Sequence, residues 1–417
     1  MDALTRRRFL LASGVTGAAA LAAGGATLGL TQLLRKAPDT APAGAGQTLV
    51  LVTLYGGNDG LNTVIPYADS RYHSARPELA YAPEAVLPLD DRLGLNPQLT
   101  GLKRLWDDKR LAVVLGVGYP RPDRSHFRSM DIWQTASPAE PIYSGWVGRW
   151  LDGTRASPEA AVSFEPALPP LLAGETRAGA CVSLHGLNLP SGLEPERLGA
   201  LGRAEPGEPA MQARAAAAYT DLLRIDHLMR EPSPATEPAG PGDIRPMPAT
   251  GTGGSSALAA QLTAVARCVE AGVPTRVYSV SLGGFDTHAE ERAGHEMLLG
   301  QLDQALTAFV DRMARTEAGR QVTVVVYSEF GRRVRANASD GTDHGTAGPV
   351  LLLGARVAAG LYGEQPSLAD LDDGDLKANV DFRQVFGTVI GSVLQADPNR
   401  YLPDFQVTPL PLFLPAS

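Results

Sequence analysis

Side chains that can bind a divalent metal ion are concentrated between residues 275 and 350 of this sequence. They are the carboxylates and imidazoles of Asp286, His288, Glu329, Asp343 and His344. Imidazole nitrogens combined with carboxylate oxygens suit zinc or manganese, whereas oxygen-rich sites suit magnesium or calcium. The sequence therefore predicts a divalent metal site and leaves the choice among these four ions open.

Three apolar runs place these residues where predicted strands begin or end. Residues 276–282 and 322–328 each lead into candidate ligands, and residues 349–353 follow the last of them. Between the first two runs, residues 288–315 have apolar side chains at helical spacing, which is typical of buried parallel strands joined by a helix. Ligands of open α/β sheets lie beyond the carboxyl ends of the strands, so we expect the candidates to meet at one edge. A sheet edge rich in turn-forming carboxylates is the alternative.

The first predicted strand, residues 48–55, supplies one more candidate ligand. It leads into a Gly-Gly-Asn-Asp-Gly segment that contains Asp59, and the two glycines allow a sharp turn. Asp59 would then lie at the same edge of the sheet as the other candidates. An Asn-Asp-Gly sequence also forms ordinary turns, so a purely structural role for Asp59 stays open.

A hydroxyl group at the start of a predicted helix is a candidate nucleophile. After a strand at 111–117 and a Pro-rich loop, residues 124–133 have apolar side chains at helical spacing, with Ser125 at or near the N-cap. A serine there usually caps the helix. The free N–H groups and the helix dipole at this position also favour developing negative charge, as a nucleophile requires. His126 is the rival candidate, as a metal ligand or a general base.

The composition is that of a globular protein with a large core. The chain has 417 residues, of which 44% are hydrophobic and 6% aromatic, and its formal net charge is −8. No basic patch with interleaved aromatic residues is present, so nucleic acid is not an expected partner. Cys181 and Cys268 both lie in apolar surroundings, and we expect two buried free thiols, with a disulfide left open.

The first residues match a twin-arginine export signal. Arg6 and Arg7 precede a weakly hydrophobic Gly/Ala-rich stretch, and residues 41–43 offer a small-residue cleavage site. A transmembrane anchor is the alternative. Removal of residues 1–43 takes away five basic and two acidic groups, which moves the formal charge from −8 to about −11. We expect export by the twin-arginine machinery to the periplasm or the extracellular space, with no stable membrane span after cleavage.

A single α/β domain is predicted for residues 48–396. Within it we expect a peripheral lobe near 140–209 that covers the sheet edge and a Pro/Gly-rich loop at 231–256, and a Pro-rich tail follows at 397–417. A final helix is predicted over residues 381–394 with Asp381 as its N-cap. Four histidines lack a comparable setting and are expected to be structural or solvated: His73, His185, His227 and His295.

The order of these motifs resembles a bacterial family of twin-arginine-exported proteins built on a domain of unknown function. The motifs are Gly-Gly-Asn-Asp-Gly, Arg-Ser-His-Phe, Gly-Gly-Phe-Asp-Thr-His, Ser-Glu-Phe-Gly-Arg and Asp-His-Gly. That family is similar in turn to the alkaline phosphatase and sulfatase superfamily. The resemblance implies a three-layer sandwich with a mostly parallel central sheet between helices.

The resemblance also implies roles for individual residues. Asp59, Asp286, His288 and His344 fall at metal-ligand positions of the superfamily, and Ser125 falls at the position of its nucleophile. A Glu-Phe pair at 329–330 replaces the Asp-His pair of the superfamily, and the spacing from Asp286 to His288 is shorter than in the phosphatases. A single metal ion or an oxygen-rich site is therefore easier to build here than a complete two-zinc site.

Two classes of function follow from this reasoning. The first is an exported metal-dependent hydrolase of phosphate or sulfate esters with Ser125 as nucleophile. Arg332 or Arg128 would hold the anionic ester by paired hydrogen bonds, and Asn58 is a further candidate for substrate binding. The alternative is an exported binding or assembly protein that keeps the fold without turnover, and the replaced Asp-His pair motivates it.

Overall fold

The structure is a computed structural model that describes residues 46–165, 167–182, 184 and 258–415, with the backbone of residues 26 and 27. The rest of the predicted export signal, the predicted loop at 231–256, His185 and His227 lie outside the described residues. Within the described part of the chain, no helix combines the length and the hydrophobicity that a membrane span requires.

Ten of the fifteen described strands form one sheet. In chain order the strands are β1 (Ala26–Thr27), β2 (Thr48–Tyr55), β3 (Val64–Ile65), β4 (Leu87–Pro88), β5 (Gly94–Leu95), β6 (Leu111–Gly118), β7 (Ala161–Ser163), β8 (Ala180–Cys181), β9 (Val277–Gly283), β10 (Val322–Ser328), β11 (Gly348–Leu353), β12 (Gly360–Tyr362), β13 (Leu371–Asp372), β14 (Asp375–Leu376) and β15 (Val380–Asp381). The order in the large sheet is β1-β8-β7-β9-β2-β10-β11-β6-β12, and β15 also pairs with β6. Two small sheets contain the other strands, in the orders β3-β5-β4 and β13-β14.

The described α-helices flank this sheet or connect its strands. They are α1 (Gly60–Thr63), α2 (Ser70–Ala75), α3 (Thr100–Asp107), α4 (His126–Thr135), α5 (Trp146–Thr154), α6 (Leu258–Glu270), α7 (Glu291–Met313), α8 (Glu317–Arg320) and α9 (Phe382–Ser392). Asp381 caps α9, because its side chain accepts a hydrogen bond from the backbone N–H of Arg383.

Alternate residues of the central strands face opposite layers of helices. Val50 and Val52 of β2 belong to the same core as apolar residues of α3, α6 and α7. Leu49 and Leu51 belong to a second core with residues of α4, α5 and α9. All eight residues of β2 are buried, as expected for a strand covered on both faces. The predicted mostly parallel sheet between two helical layers is thereby confirmed.

One strand of the large sheet runs against its neighbours. β11 is antiparallel to β10 and to β6, whereas the other pairs in this sheet are parallel. The amino end of β11 therefore lies at the edge where β2, β6, β9 and β10 have their carboxyl ends. Residues shortly before β11, such as His344, consequently reach the same edge as residues that follow the parallel strands.

The described part of the segment near 140–209 extends the sheet. It contributes α5 and the strands β7 and β8, which pair in parallel with each other, while β7 also pairs with β9. The sequence predicts a peripheral lobe over residues 140–209, and two strands of its described part belong to the sheet. Cys181 and Cys268 are both free and buried, as expected from their apolar surroundings.

Candidate metal centre

Three parallel strands and the antiparallel strand bring candidate ligands to one edge of the sheet. The segments after β6, β9 and β10 and the segment before β11 meet there, and they contribute His126, Asp286, His288, Glu329 and His344. His288 and His344 come from different segments, yet their Nε2 atoms are 3.0 Å apart.

Asp286 is the common neighbour of three imidazole rings. Its Oδ1 lies 2.9 Å from Nε2 of His288 and 3.0 Å from Nε2 of His344. Its Oδ2 lies 3.3 Å from Nε2 of His126. Ligand atoms of His126, Asp286 and His344 all lie within 4.8 Å of one another, so a single metal ion could contact all three.

The outer nitrogens of two of these rings are held by other groups. Nδ1 of His126 lies 2.9 Å from Oε1 of Glu329, a buried carboxylate. Nδ1 of His344 lies 2.8 Å from the backbone carbonyl oxygen of Arg124. Because both partners accept hydrogen bonds, each Nδ1 carries the hydrogen, and each neutral ring turns the lone pair of Nε2 towards Asp286. Metal-binding histidines are commonly oriented in this way.

These lone pairs fit a bound cation. Nε2 of His126 is buried and has no hydrogen-bond partner among the residues that the structure describes. In the neutral rings, the Nε2 lone pairs of His126 and His344 both face oxygens of Asp286, and two lone pairs that face each other repel. A cation between them removes the repulsion. The donor set of imidazole and carboxylate is one that zinc and other transition metals accept.

Protonation of the centre follows from its hydrogen bonds and burial. The hydrogen bond with Glu329 raises the pKa of His126, against the opposing effect of burial. Burial lowers the pKa of His344. Burial alone would raise the pKa of Asp286, but its close contacts with His344 and with the guanidinium of Arg332 hold that pKa at about 2. The carboxylate at the centre is therefore ionised at neutral pH.

Phe330 supports the rings of the centre from one side. Its ring centroid is 5.0 Å from that of His126 and 4.8 Å from that of His344. Gly57 makes room for it: the residue has φ 75°, and a Cβ there would lie 2.2 Å from a ring carbon of Phe330. The Glu-Phe pair thus orients the site, with Glu329 bonded to His126 and Phe330 packed against it.

Asp59 has an ion-pair partner of its own. Its Oδ2 accepts a hydrogen bond of 2.5 Å from Nη1 of Arg76, and both side chains are fully buried. The charge of Arg76 lowers the pKa of Asp59 although burial opposes this. Arg76 also donates to the backbone carbonyls of Arg333 and Val334. The convergence expected for Asp286, His288, Glu329 and His344 is present, whereas Asp59 belongs to this separate buried pair.

Further polar groups surround the pair of Asp59 and Arg76. Burial and the charge of Asp59 raise the pKa of Glu291 to about 8, and its Oε2 accepts a 2.6 Å hydrogen bond from Thr342. His295 is buried, and burial lowers its pKa to about 4. Its Nε2 lies 2.9 Å from Oδ1 of Asn58, the residue predicted to bind substrate. These contacts place Asn58 and His295 in an internal network.

Arg332 is bound entirely within the protein. Its fully buried guanidinium donates to four backbone carbonyls, those of Gly56, Gly57, Phe285 and Thr342, at 2.5–2.9 Å. Its Nη2 also lies 2.8 Å from Oδ1 of Asp286. These contacts join the segments after β2 and β9 to the loop before β11. The sequence predicts an anion-holding role for Arg332, whereas its contacts fit a role in assembling the site.

Ser125 occupies the N-cap of α4, as predicted. Its side chain makes no capping hydrogen bond, and the residue is exposed. It lies between Arg124, whose carbonyl binds His344, and His126, which faces Asp286. The hydroxyl is therefore adjacent in the chain to two groups of the centre.

The other candidates lie on the periphery. Arg128 pairs with Asp131 one helical turn away, and its Nη2 lies 3.4 Å from the carbonyl oxygen of Ser137. Asp343 is exposed, and its Oδ1 lies 3.6 Å from Nδ1 of His288. Sequence reasoning missed Arg76 and Glu291, because neither follows a predicted strand nor stands in a recognisable motif. His126 was visible as the neighbour of Ser125, and the structure places it among the possible ligands.

The model of one protein family matches residues 117–406, and it is described as a protein of unknown function, DUF1501. The chain belongs to this family. The matched segment contains His126, Asp286 and His344, whereas Asp59 precedes it. No curated protein matches the chain in sequence.

Several solved structures have a similar arrangement of sheet and helices. A protein in the alkaline phosphatase superfamily from Vibrio parahaemolyticus is 10% identical, with a TM-score of 0.35 over 81% of this chain and 71% of that chain. The alkaline phosphatase of the Antarctic bacterium TAB5 is 10% identical, with a TM-score of 0.32 over 76% of this chain and 94% of that chain. The lipoteichoic acid synthase LtaP from Listeria monocytogenes is 9% identical, with a TM-score of 0.37 over 90% of this chain and 81% of that chain.

Proposed function

We propose that this protein is a metal-dependent hydrolase of phosphate or sulfate esters. The observation that supports it best is the pair of imidazoles of His126 and His344, which are held through Nδ1 and turn Nε2 towards one carboxylate. An exposed hydroxyl, that of Ser125, directly precedes His126 in the chain at a helix amino end. A metal site next to a serine hydroxyl is an arrangement for nucleophilic attack on an ester.

The metal would be held by His126, Asp286 and His344, with His288 beside them. This nitrogen-rich set favours zinc or another transition metal over magnesium or calcium. A bound divalent ion would lower the pKa of a serine hydroxyl and neutralise charge on the non-bridging oxygens of the ester. Glu329 and the carbonyl of Arg124 keep the two rings in the orientation that binding requires.

Ser125 would be the nucleophile. Its Oγ forms a bond to phosphorus or sulfur, and the bond from that atom to the leaving oxygen breaks. The leaving oxygen keeps the electron pair and takes up the proton that Ser125 loses; water then hydrolyses the seryl ester. The amino end of the ten-residue helix α4 favours the negative charge that develops during attack.

Replacement of Ser125 by alanine tests the assignment. We expect Ser125→Ala to abolish ester hydrolysis in zinc-supplied protein while zinc content and thermal unfolding stay unchanged. Because Oγ makes no capping bond, the loss of stability should be smaller than the roughly 1 kcal/mol of a lost cap. Ser74→Ala, which removes an exposed hydroxyl from α2, is the control. Full activity of Ser125→Ala would refute the assignment of Ser125 as the nucleophile. If the unmodified protein is folded and metal-loaded but hydrolyses no ester, a non-catalytic binding or assembly role would be favoured.

We also propose that the protein is exported through the twin-arginine route and acts in the periplasm or outside the cell. Arg6 and Arg7, followed by the weakly hydrophobic Gly/Ala-rich stretch, support this location. The export machinery would then be a partner of the precursor.

A further inference from the structure

We propose that the substrate is a phosphodiester, whose single negative charge matches the site and whose second organic group lies in the cleft beside α4. This inference rests on the proposed ester hydrolysis and names the class of ester. Two independent observations carry it: the charge available at the centre and the space next to it.

Three arginines near the centre are already paired within the protein. Each nitrogen of the Arg332 guanidinium donates to a backbone carbonyl, and its side chain is fully buried. Arg128 is paired with Asp131. Arg124 is paired with Asp375. A second negative charge on a substrate would therefore find no free guanidinium among these arginines.

The charge of the centre suits a monoanion. Asp286 and Glu329 contribute two negative charges and Arg332 one positive charge, so with neutral imidazoles the centre has a net charge of −1. A divalent ion changes this to +1. A phosphate monoester is largely a dianion at neutral pH, because its second pKa is about 6. A phosphodiester carries one charge and is neutralised fully.

The next charges outward are of both signs, and Arg121 and Lys377 of the cleft wall are among them. The guanidinium of Arg124 lies against Asp375, and that of Arg333 lies 3.3 Å from Asp373 and 3.6 Å from Asp375. Two arginines thus face two aspartates. Exposed Asp343 adds only further negative charge near His288, which disfavours a dianion more than a monoanion.

A cleft beside the centre offers room for a second organic group. It has a volume of about 510 Å³, within the range of small-molecule sites. Its walls include Phe330 and Asp123. Phe330 packs against His126, and Asp123 accepts a hydrogen bond from the backbone N–H of Ser125. Tyr119 and Ala378 add apolar surface. A phosphate monoester or sulfate ester has one organic group, which leaves during attack, whereas a phosphodiester has a second one that stays.

The first test compares three esters with the same leaving group on zinc-supplied protein: bis(4-nitrophenyl) phosphate, 4-nitrophenyl phosphate and 4-nitrophenyl sulfate. We expect kcat/KM for the diester to exceed the other two by about tenfold or more, which corresponds to roughly 1.4 kcal/mol. A preference for the phosphate monoester or the sulfate would overturn this inference and leave the proposed hydrolase intact. No hydrolysis of any of the three would overturn the proposed function itself.

Binding provides a readout that does not depend on turnover. By titration calorimetry with zinc-supplied protein, we expect diethyl phosphate to bind more tightly than phenyl phosphate, since the first is a monoanion with two organic groups. Tighter binding of phenyl phosphate would contradict the inference.

A variant that fills the cleft tests where the second group lies. Ala378→Phe places a large side chain on the exposed cleft wall, and we expect a raised KM for the diester with little change in kcat. Ala259→Phe, an exposed change on α6, is the matched control and should leave both constants unchanged. An unchanged diester KM in folded Ala378→Phe would remove the cleft from the proposal.

Discussion

His126 lies between two carboxylates, one that orients its ring and one that faces its candidate metal-binding nitrogen. Glu329 binds its Nδ1, and Asp286 faces its Nε2. Glu329 is itself held in place by two further hydrogen bonds. Its Oε1 accepts one of 2.8 Å from the backbone N–H of Gly56, and its Oε2 accepts one of 3.0 Å from the hydroxyl of Ser328. The orientation of the His126 ring is therefore determined by a buried group that does not belong to the metal cluster.

Loss of the Glu329 charge should weaken metal binding through His126. We expect Glu329→Gln to lower zinc affinity about 10- to 100-fold, the usual effect of removing such an outer partner. It should also lower the pKa of His126, because the hydrogen bond that raises it is weakened. Competition with a zinc-binding dye and NMR titration of the His126 ring measure these effects. Glu364→Gln, an exposed change, is the control; equal zinc affinity in both variants would contradict the orienting role.

Glu291 should make stability fall as the pH rises. Its pKa increases from 4.5 to about 8 on folding, because of burial and the charge of Asp59. The folded state therefore binds more protons between these values, so the stabilisation is complete below 4.5 and is lost as the pH rises through 8. We expect Glu291→Gln to flatten this part of the stability profile, measured by urea unfolding. Glu317→Gln, at an exposed site on α8, should leave the profile unchanged.

At the scale of elements, the turn after β2 connects the sheet to the centre. Gly56 and Gly57 have φ of 114° and 75°. A Cβ at Gly57 would overlap the ring of Phe330, which packs against His126 and His344. The turn thus controls the position of two imidazoles without providing a ligand.

Gly57→Ala should disturb both stability and metal binding. The backbone strain costs about 1–3 kcal/mol, and displacement of Phe330 should lower zinc affinity as well. Gly272→Ala is a matched control, because Gly272 has φ 72° and no atom of the described part of the chain lies within 4 Å of a Cβ there. Thermal unfolding should show a lower stability in both variants, because both carry the backbone strain. Zinc titration should show weaker zinc binding in Gly57→Ala alone. Similar zinc binding in the two would show that Phe330 does not support the rings.

The strands were predictable because their signal is local. Apolar β-branched runs mark β2 and β10 with the observed bounds, Thr48–Tyr55 and Val322–Ser328. The direction of β11 was not predictable, since an apolar run reads the same in either direction. The membership of β7 and β8 in the sheet depends on pairing with a distant strand, β9, and short strands of two or three residues leave little pattern.

The site was predictable only in part, for a similar reason. The strand ends of β9 and β10 pointed to Asp286, His288 and Glu329, and the convergence of His288 with His344 follows from the sheet edge. The pairing of Asp59 with Arg76 could not be foreseen, because Arg76 lies just after the short helix α2 and its contact depends on tertiary packing. The residue types gave candidates, and only the fold separated ligands from ion-pair partners.

At the scale of the whole molecule, we predict that export depends on the guanidinium pair of Arg6 and Arg7. Lysine keeps the charge but lacks the planar, forked geometry of arginine. Replacing both residues by lysine should leave the precursor in the cytoplasm, as measured by cell fractionation. Arg35→Lys, outside the pair, should be exported normally. Undiminished export of the double variant would show that another route is used.

The pairing of β2 has a consequence for synthesis on the ribosome. β2 emerges early, but its partners are β9 at Val277–Gly283 and β10 at Val322–Ser328. This eight-residue strand, buried along its whole length in the folded protein, therefore has both edges unpaired until residue 283 has been made and one edge unpaired until residue 328 of 417. Unpaired edges of this kind promote aggregation, and pairing across such separations is slow. The nascent chain should accordingly be a client of chaperones that shield strands until translation is nearly complete.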